Sequence, residues 1–433
     1  MITTPVGVGA TPSQIGSGAS RGRAQPPRWI KFAALALALV VAGYLARQVV
    51  SIAVAKDRAA TDPYAALDWR PHDSTALEGA GERLLSSAKT PADVVTVHDL
   101  ARRALDRSPL EVGAVRLLAL TAERQGDENR AARLMSIAGQ RSARDGPAQA
   151  WLFDYWFKRR DWPRAFAHVD LLLRTHPQVT KQLAPVLMDA VVNDPAARKA
   201  LTVRLEGAPF WRVEFLSSLA QSGADPSPLL AILTDLNRAN AKLSDTELEE
   251  VLVPLVNRHL YDEAYLTWTQ SLPPKALSAL GNIYDADFDG LPGAAPFNWV
   301  LHQPNGGAVE ITAAPSGARG RALAVHLYDP PTQPLAVQLI NLPPGRYVLS
   351  ARSLSDSGGA TGLSWTVRCD GGAVIARLSP AGGAGTWSAG SASFETPQSG
   401  CAAQWLELIA EPGATFQGSG VWWDKLAIDR EAS

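Results

Sequence analysis

Three aspartates alternate in the stretch NIYDADFDGLPG, residues 282–293: Asp285, Asp287 and Asp289, with Gly290 directly after. Carboxylates at every second position before a glycine open a calcium-binding loop, in which hard oxygen ligands converge on one cation. An EF-hand also needs a bidentate glutamate at loop position 12 and an aliphatic residue at position 8; counted from Asp285 these are Pro296 and Pro292. No helix can follow directly, which argues against an EF-hand. The residues instead predict that Phe288-Asp289-Gly290 begins the first strand of a β domain and its turn. The aspartates then either hold a metal or cap turns at a domain junction.

Tryptophan is the second residue type with chemistry to offer. Trp299, Trp365, Trp387, Trp405, Trp422 and Trp423, nearly half of the thirteen in the chain, fall after residue 282. Flat aromatic rings receive the C–H faces of sugars, and Arg, Gln and Glu side chains receive their hydroxyls. Strand alternation places side chains on opposite faces in turn. It points Leu406 and Leu408 inward and Trp405 and Glu407 outward. It also separates Tyr347, Leu349 and Ala351 from Arg352, and turns Gln338 and His326 outward. If these strands adjoin, Trp405, Glu407, Arg352, Gln338 and His326 line one open glycan platform. The alternative is that the tryptophans are core or interface, the common place for that residue. Of Trp422 and Trp423, parity with Leu426 and Ile428 selects Trp422 as the inward one.

Catalytic constellations are missing. The sequence has no phosphate-binding G-x-x-x-x-G-K-[ST] loop, no H-E-x-x-H and no G-x-S-x-G elbow. A net charge of -1 argues against nucleic acid as a partner, since no basic field exists to release counterions. Cys369 and Cys401 are the only cysteines. Cys369 ends one predicted strand and Cys401 precedes another, so a bridge would close a loop of about 33 residues, worth roughly 3–4 kcal/mol.

The elements that must position these residues fall into distinct zones. Residues 1–28 are rich in Gly, Ser, Pro and Thr and then basic, a tail too polar to fold. Residues 29–55 form an apolar stretch, FAALALALVVAGYLA and its continuation past Arg47, long enough to cross a bilayer if Arg47 snorkels. Two readings fit: an uncleaved signal anchor with the basic tail in the cytoplasm, or a long signal peptide cleaved after Ala53-Val54-Ala55. Both export the remainder, where the two cysteines would pair. Residues 56–78, with Pro63 and Pro71, read as a polar linker.

From 79 to 281, apolar residues recur at helical spacing between short Gly, Pro and Asp turns. Pro109, Pro147 and Pro177 close successive segments 38 and 30 residues apart, a mean of 34. With Leu118, Gly126, Ala131 and Ala138 in their places, this region resembles degenerate tetratricopeptide repeats. The usual early Trp and Tyr positions hold Val115 and Ala122, and Met135 replaces a Phe. The resemblance implies an α-solenoid whose helix pairs bury their apolar faces on one another and present a concave surface to proteins.

After residue 282 alternation replaces helical spacing, over 322–328, 335–340, 346–354, 363–369, 403–410 and 420–428. Turns intervene at 343–345, 357–359 and 382–383. Residues 282–431 therefore predict an all-β sandwich. Phe288-Asp289-Gly290 with Trp299, the PPGRYVL strand and the closing VWWDKLAI resemble the jelly-roll modules of carbohydrate-binding and galactose-binding-like families. That resemblance implies a structural calcium between first and last strands, with Asp287, Asp289 and Asp424 as its carboxylates. It names no other cofactor. The whole layout resembles exported bacterial proteins tied to extracellular polysaccharide production. It implies a single-pass inner-membrane protein, N-terminus cytoplasmic and bulk periplasmic, without enzymatic activity. Its expected partners are the membrane, other envelope or polysaccharide-synthesis proteins through the helices, and polysaccharide through the sandwich. The alternatives are a purely protein-binding scaffold and a glycan-active enzyme.

Overall fold

The computed structural model describes residues 28–431 except 224, 316–318, 357–361, 382–383 and 417. The tail before residue 28 and the turns expected at 357–359 and 382–383 thus lie outside the described residues. Helices come first: α1 (Arg28–Arg58), α2 (Pro63–Trp69), α3 (Ser74–Ser87), α4 (Pro91–Arg107), α5 (Val112–Arg124), α6 (Glu128–Arg141), α7 (Gly146–Lys158) and α8 (Trp162–Thr175). They continue with α9 (Thr180–Asn193), α10 (Pro195–Leu205), α11 (Arg212–Gln221), α12 (Ser227–Arg238), α13 (Asp245–Asn257), α14 (Tyr261–Ser271) and α15 (Pro274–Leu277). Ten strands follow: β1 (Val300–Leu301), β2 (Gly307–Ala313), β3 (Arg321–Leu327), β4 (Ala336–Ile340), β5 (Gly345–Ser355), β6 (Leu363–Cys369), β7 (Val374–Leu378), β8 (Ser388–Thr396), β9 (Gln404–Ala410) and β10 (Ser419–Arg430).

Capping explains where the helices start. Asp62, Asp73, Asp145, Asp161 and Asp194 each accept a backbone N–H from the first turn. Thr90 with Asp93 and Ser244 with Glu247 form full capping boxes. Prolines sit in the first turn of α2, α4, α7, α8 and α10, where a missing N–H costs nothing. This corrects two expectations. The stretch 56–78 is no linker: Pro63 opens a helix capped by Asp62. Pro147 likewise opens α7, whereas it was expected to close a repeat.

The chain divides into two compact units, one up to Leu134 and one from Met135 onward, rather than at the α-to-β transition near residue 282. In the first unit, α3 packs on α4 and α4 on α5. Small clusters join them: Leu85, Val97, Ala101 and Leu117, then Leu77, Ala104 and Ala114. Ala55 and Ala59 at the end of α1 pack with Ala66 and Ala76. Gly126, with φ of 83°, makes the turn after α5.

In the second unit α7 packs on α8, α8 on α10, α10 on α12, and α11 on α13. The ten strands form two antiparallel sheets, sheet A in the order β1-β4-β9-β6-β7 and sheet B in the order β2-β3-β10-β5-β8. Their inner faces enclose the sandwich core, with an aromatic file of Phe288, Trp299, Trp365 and Trp423, ring centroids 5.2, 5.5 and 6.1 Å apart in turn. The outer face of sheet A meets the helices: Leu339 and Ala403 belong to the helical core along with Trp268, Tyr284 and Phe297. Strand β4 is therefore buried on both faces along its whole length, apolar except for Gln338 at its centre.

Candidate functional site

The opening aspartates build a junction. Asp285 is buried with φ of 49°, and its carboxylate accepts the N–H groups of Asp289 (2.9 Å) and Gly290 (3.0 Å). Its carbonyl accepts from Phe288 N–H and from the Trp299 indole at 3.0 Å. Burial pushes the Asp285 carboxyl above its ordinary range, against these hydrogen bonds. The segment is a turn, not the first strand, because Asp285 folds the backbone onto itself. Asp287 acts electrostatically on Asp424, and Asp289 on Asp285. The expected calcium trio is not gathered: among the described residues no three His, Cys, Asp or Glu side chains form a metal-binding group.

The five expected platform residues separate into three places. Gln338 lies opposite Leu406 in the β4–β9 register, so both point into the sandwich. It is fully buried and clamps Tyr284, accepting its N–H (3.0 Å) and donating to its carbonyl (2.9 Å). Trp405 and Glu407 do face outward from sheet A, but onto covered ground. The Trp405 ring packs against the helical core, and its indole N–H donates to Asp370 Oδ1 at 3.1 Å. The other oxygen of Asp370 accepts the Tyr261 hydroxyl of α14 at 2.5 Å, and His259 Nδ1 joins that hydroxyl at 2.6 Å. Glu407, 8 % exposed, takes a two-pronged bond from Arg368 at 2.6 and 3.1 Å. The Cys369–Cys401 disulfide, with Cα atoms 4.9 Å apart, holds the end of β6 beside the entry to β9.

His326 and Arg352 face outward from sheet B, with different companions. Trp422 lies opposite Ala324 and Leu354, and Trp423 opposite Leu323 and Ser353. Trp423 is the core residue at 1 % exposure, and Trp422 is the half-buried outer one. The parity argument fails because the β10–β5 register shifts between Asp424 and Ala427, where Lys425 has φ of 53°. One extra residue in a strand inverts the faces on either side of it.

The outer face of sheet B is a floor of small residues, Ala322, Ala324 and Gly420, bordered by aromatic and charged groups. Trp422 meets His326 edge to face with centroids 5.2 Å apart. The Arg352 guanidinium lies 5.3 Å from the centre of the Trp387 ring. Among the described residues two buried polar atoms here have no hydrogen-bond partner, Trp387 Nε1 and Asp424 Oδ2. Burial pushes the Asp424 carboxyl up and Asp287 adds to this, while the Lys425 N–H and Arg352 oppose it. Sequence reasoning missed Trp387 and Trp422 here. Register decides their side, and register is a long-range property.

No protein-family model matches this chain, and no curated protein is similar to it. Solved structures similar to part of it include carbohydrate-binding modules. One is described as a family 4 carbohydrate-binding module, 14% identical, covering 34% of this chain and 99% of that one, at a TM-score of 0.26. A second is a family 61 module in complex with β-1,4-galactotriose: 18% identity, 35% of this chain, 98% of that one, TM-score 0.24. A third is a family 6 module from Cellvibrio mixtus lichenase 5A with cellotriose: 20% identity, 31% of this chain, 98% of that one, TM-score 0.21. Likeness at that level fixes neither family nor ligand.

Proposed function

We propose that this chain is a non-catalytic, membrane-anchored binding protein of the bacterial envelope, acting in exopolysaccharide or capsule production. Its helical array, read as a repeat solenoid, would dock a protein partner. Its sandwich would bind a glycan on the outer face of sheet B. One observation supports the glycan reading: that face sets two half-buried aromatic rings, Trp422 and Trp387, beside His326 and Arg352, over the buried small residues Ala322, Ala324 and Gly420. Rings of that kind supply stacking surface, and the flanking charged groups supply hydroxyl partners. A helix near the N-terminus, 35–58, is long and apolar enough to cross a membrane. Together with the disulfide it supports anchoring and export.

The test is calorimetric titration of the full detergent-solubilised chain with exported polysaccharides of the host. Saturable binding that weakens about tenfold or more in Trp422→Ala, with folding intact, is the expected result. Absence of binding, or binding indifferent to that substitution, overturns the glycan reading. A second reading has its own support: the helices cover sheet A, so the sandwich also serves as a structural layer of the second unit. Under it the protein is a scaffold without sugar affinity, and pull-down with envelope proteins would succeed where every polysaccharide fails.

A further inference from the structure

Alongside the C-terminal half of α1, the first unit forms an open hollow of about 800 Å³. Arg47 of α1, Arg70 after α2 and Arg107 at the end of α4 all line it, with Tyr44, Trp69 and His72. Among the described residues none of the three guanidinium groups has an ion-pair or hydrogen-bond partner. The one carboxylate on the lining, Asp73, is engaged at the start of α3, accepting the Ala76 N–H at 3.0 Å. The wall is fixed: Arg103 donates to the Pro71 carbonyl at 3.1 Å, and Gln48 donates to the Tyr44 hydroxyl at 2.9 Å. The hollow thus has a held, cationic wall whose three guanidinium groups lack carboxylate partners among the described residues.

Its height along α1 identifies what it faces. Phe32, Val40 and Leu45 are 69%, 69% and 55% exposed, whereas Ser51 and Ala55 are 8% and 0% exposed under α2 and α3. Large apolar side chains of α1 stay exposed as far as Ile52, at 48%, and the pocket's α1 lining, Tyr44 to Ser51, lies at the end of that exposed stretch. Tyr44 and Trp69, both largely exposed, are of the type that sits at a bilayer surface. Planar guanidinium groups match phosphate oxygens in pairs, and basic clusters at this depth attract anionic headgroups.

We propose that this pocket binds the phosphate of an anionic membrane lipid, holding the first unit against the bilayer surface. The inference rests on α1 being a membrane span. Phosphate is the shared chemistry; a soluble phosphate ester is the other source. The test places the full chain in nanodiscs of phosphatidylcholine containing a minor fraction of phosphatidylglycerol and counts retained lipids by native mass spectrometry. Retained phosphatidylglycerol should exceed its share of the disc about tenfold or more. The triple variant Arg47→Gln, Arg70→Gln, Arg107→Gln should lose that enrichment, and Arg133→Gln, an exposed arginine on α6 remote from this lining, should keep it. Should the triple variant misfold by circular dichroism, Arg107→Gln alone must lower the enrichment several-fold. Enrichment unchanged in the folded variants overturns the site. Displacement of the lipid by glycerol phosphate at equal concentration overturns the lipid as its source. A chain that does not enter discs overturns the anchor along with it, which separates that failure from the pocket's own.

Discussion

On the outer face of sheet A, Trp405 gives its indole N–H to Asp370 and its ring to the helical core. On the outer face of sheet B, Trp422 stands edge-on to His326 with its ring half open. Both sheets have five strands and both present tryptophan, arginine and a carboxylate. The difference lies in satisfaction. On sheet A the carboxylates of Asp370 and Glu407 are each met by strong donors, Tyr261 and Trp405 for one, Arg368 for the other. On sheet B, Asp424 Oδ2 and Trp387 Nε1 have no partner among the described residues. Buried polar groups are normally paired, and an unpaired one is a cost to the folded state. Aromatic content alone therefore does not distinguish a covered face from an outward one, and neither do unpaired atoms alone, since among the described residues Trp268 Nε1 in the helical core and Trp365 Nε1 in the sandwich core also have no partner.

If sheet A is a seam, its residues must carry stability. Trp405→Ala should show the largest effect, a loss of about 4 kcal/mol in denaturant unfolding of the second unit. The substitution leaves a cavity against α14 and strips one donor from Asp370. A loss below about 1 kcal/mol would mean that the helices do not hold this face. Gln338→Leu comes next, at roughly 3 kcal/mol, since it leaves both the N–H and the carbonyl of Tyr284 buried and unpaired. The same denaturation experiment reads it, and a neutral outcome would break the picture of Tyr284 as a fixed junction. Trp422→Ala, by contrast, should cost under about 1 kcal/mol while removing ligand binding, because little packs on its outer ring face.

The sequence announces most local structure and little of the pairing. Capping boxes such as Ser244 with Glu247 and first-turn prolines are local signals, and the helices they open are where periodicity puts them. Strands β3, β4, β5, β6, β9 and β10 fall where alternation places them. Strand β8, SAGSASFET, escaped as a strand because its small residues on a sheet edge carry no apolar period. The platform was assembled wrongly for two physical reasons. Side-chain parity says which residues share a face of one strand, but not which sheet that strand joins, so His326 and Arg352 were grouped with Trp405. Parity also fails across a bulge, and Lys425 supplies one in β10. Gln338 deceived for a third reason: a polar side chain in a doubly covered strand is there to satisfy a neighbouring backbone, and the neighbour, Tyr284, is far away in sequence.

An effect confined to one end of the pH range tests the outer face of sheet B most directly. Burial, followed by Asp287, raises the Asp424 carboxyl above its unfolded value of about 4. A carboxyl whose folded value is raised holds its proton more tightly in the folded state. Its contribution is then favourable at low pH and is lost as pH rises through the folded value. Asp424→Asn should therefore leave stability unchanged near pH 3, where both states are protonated. It should add about 1 kcal/mol at pH 7, where the native chain must bury an ionised oxygen with no partner. Thermal unfolding of the two proteins across that range reads the difference. A gain that is flat with pH would place the cost of Asp424 in its shape instead of its charge. A loss at pH 7 would mean that the attraction of Lys425 and Arg352 for the ionised carboxylate outweighs its burial.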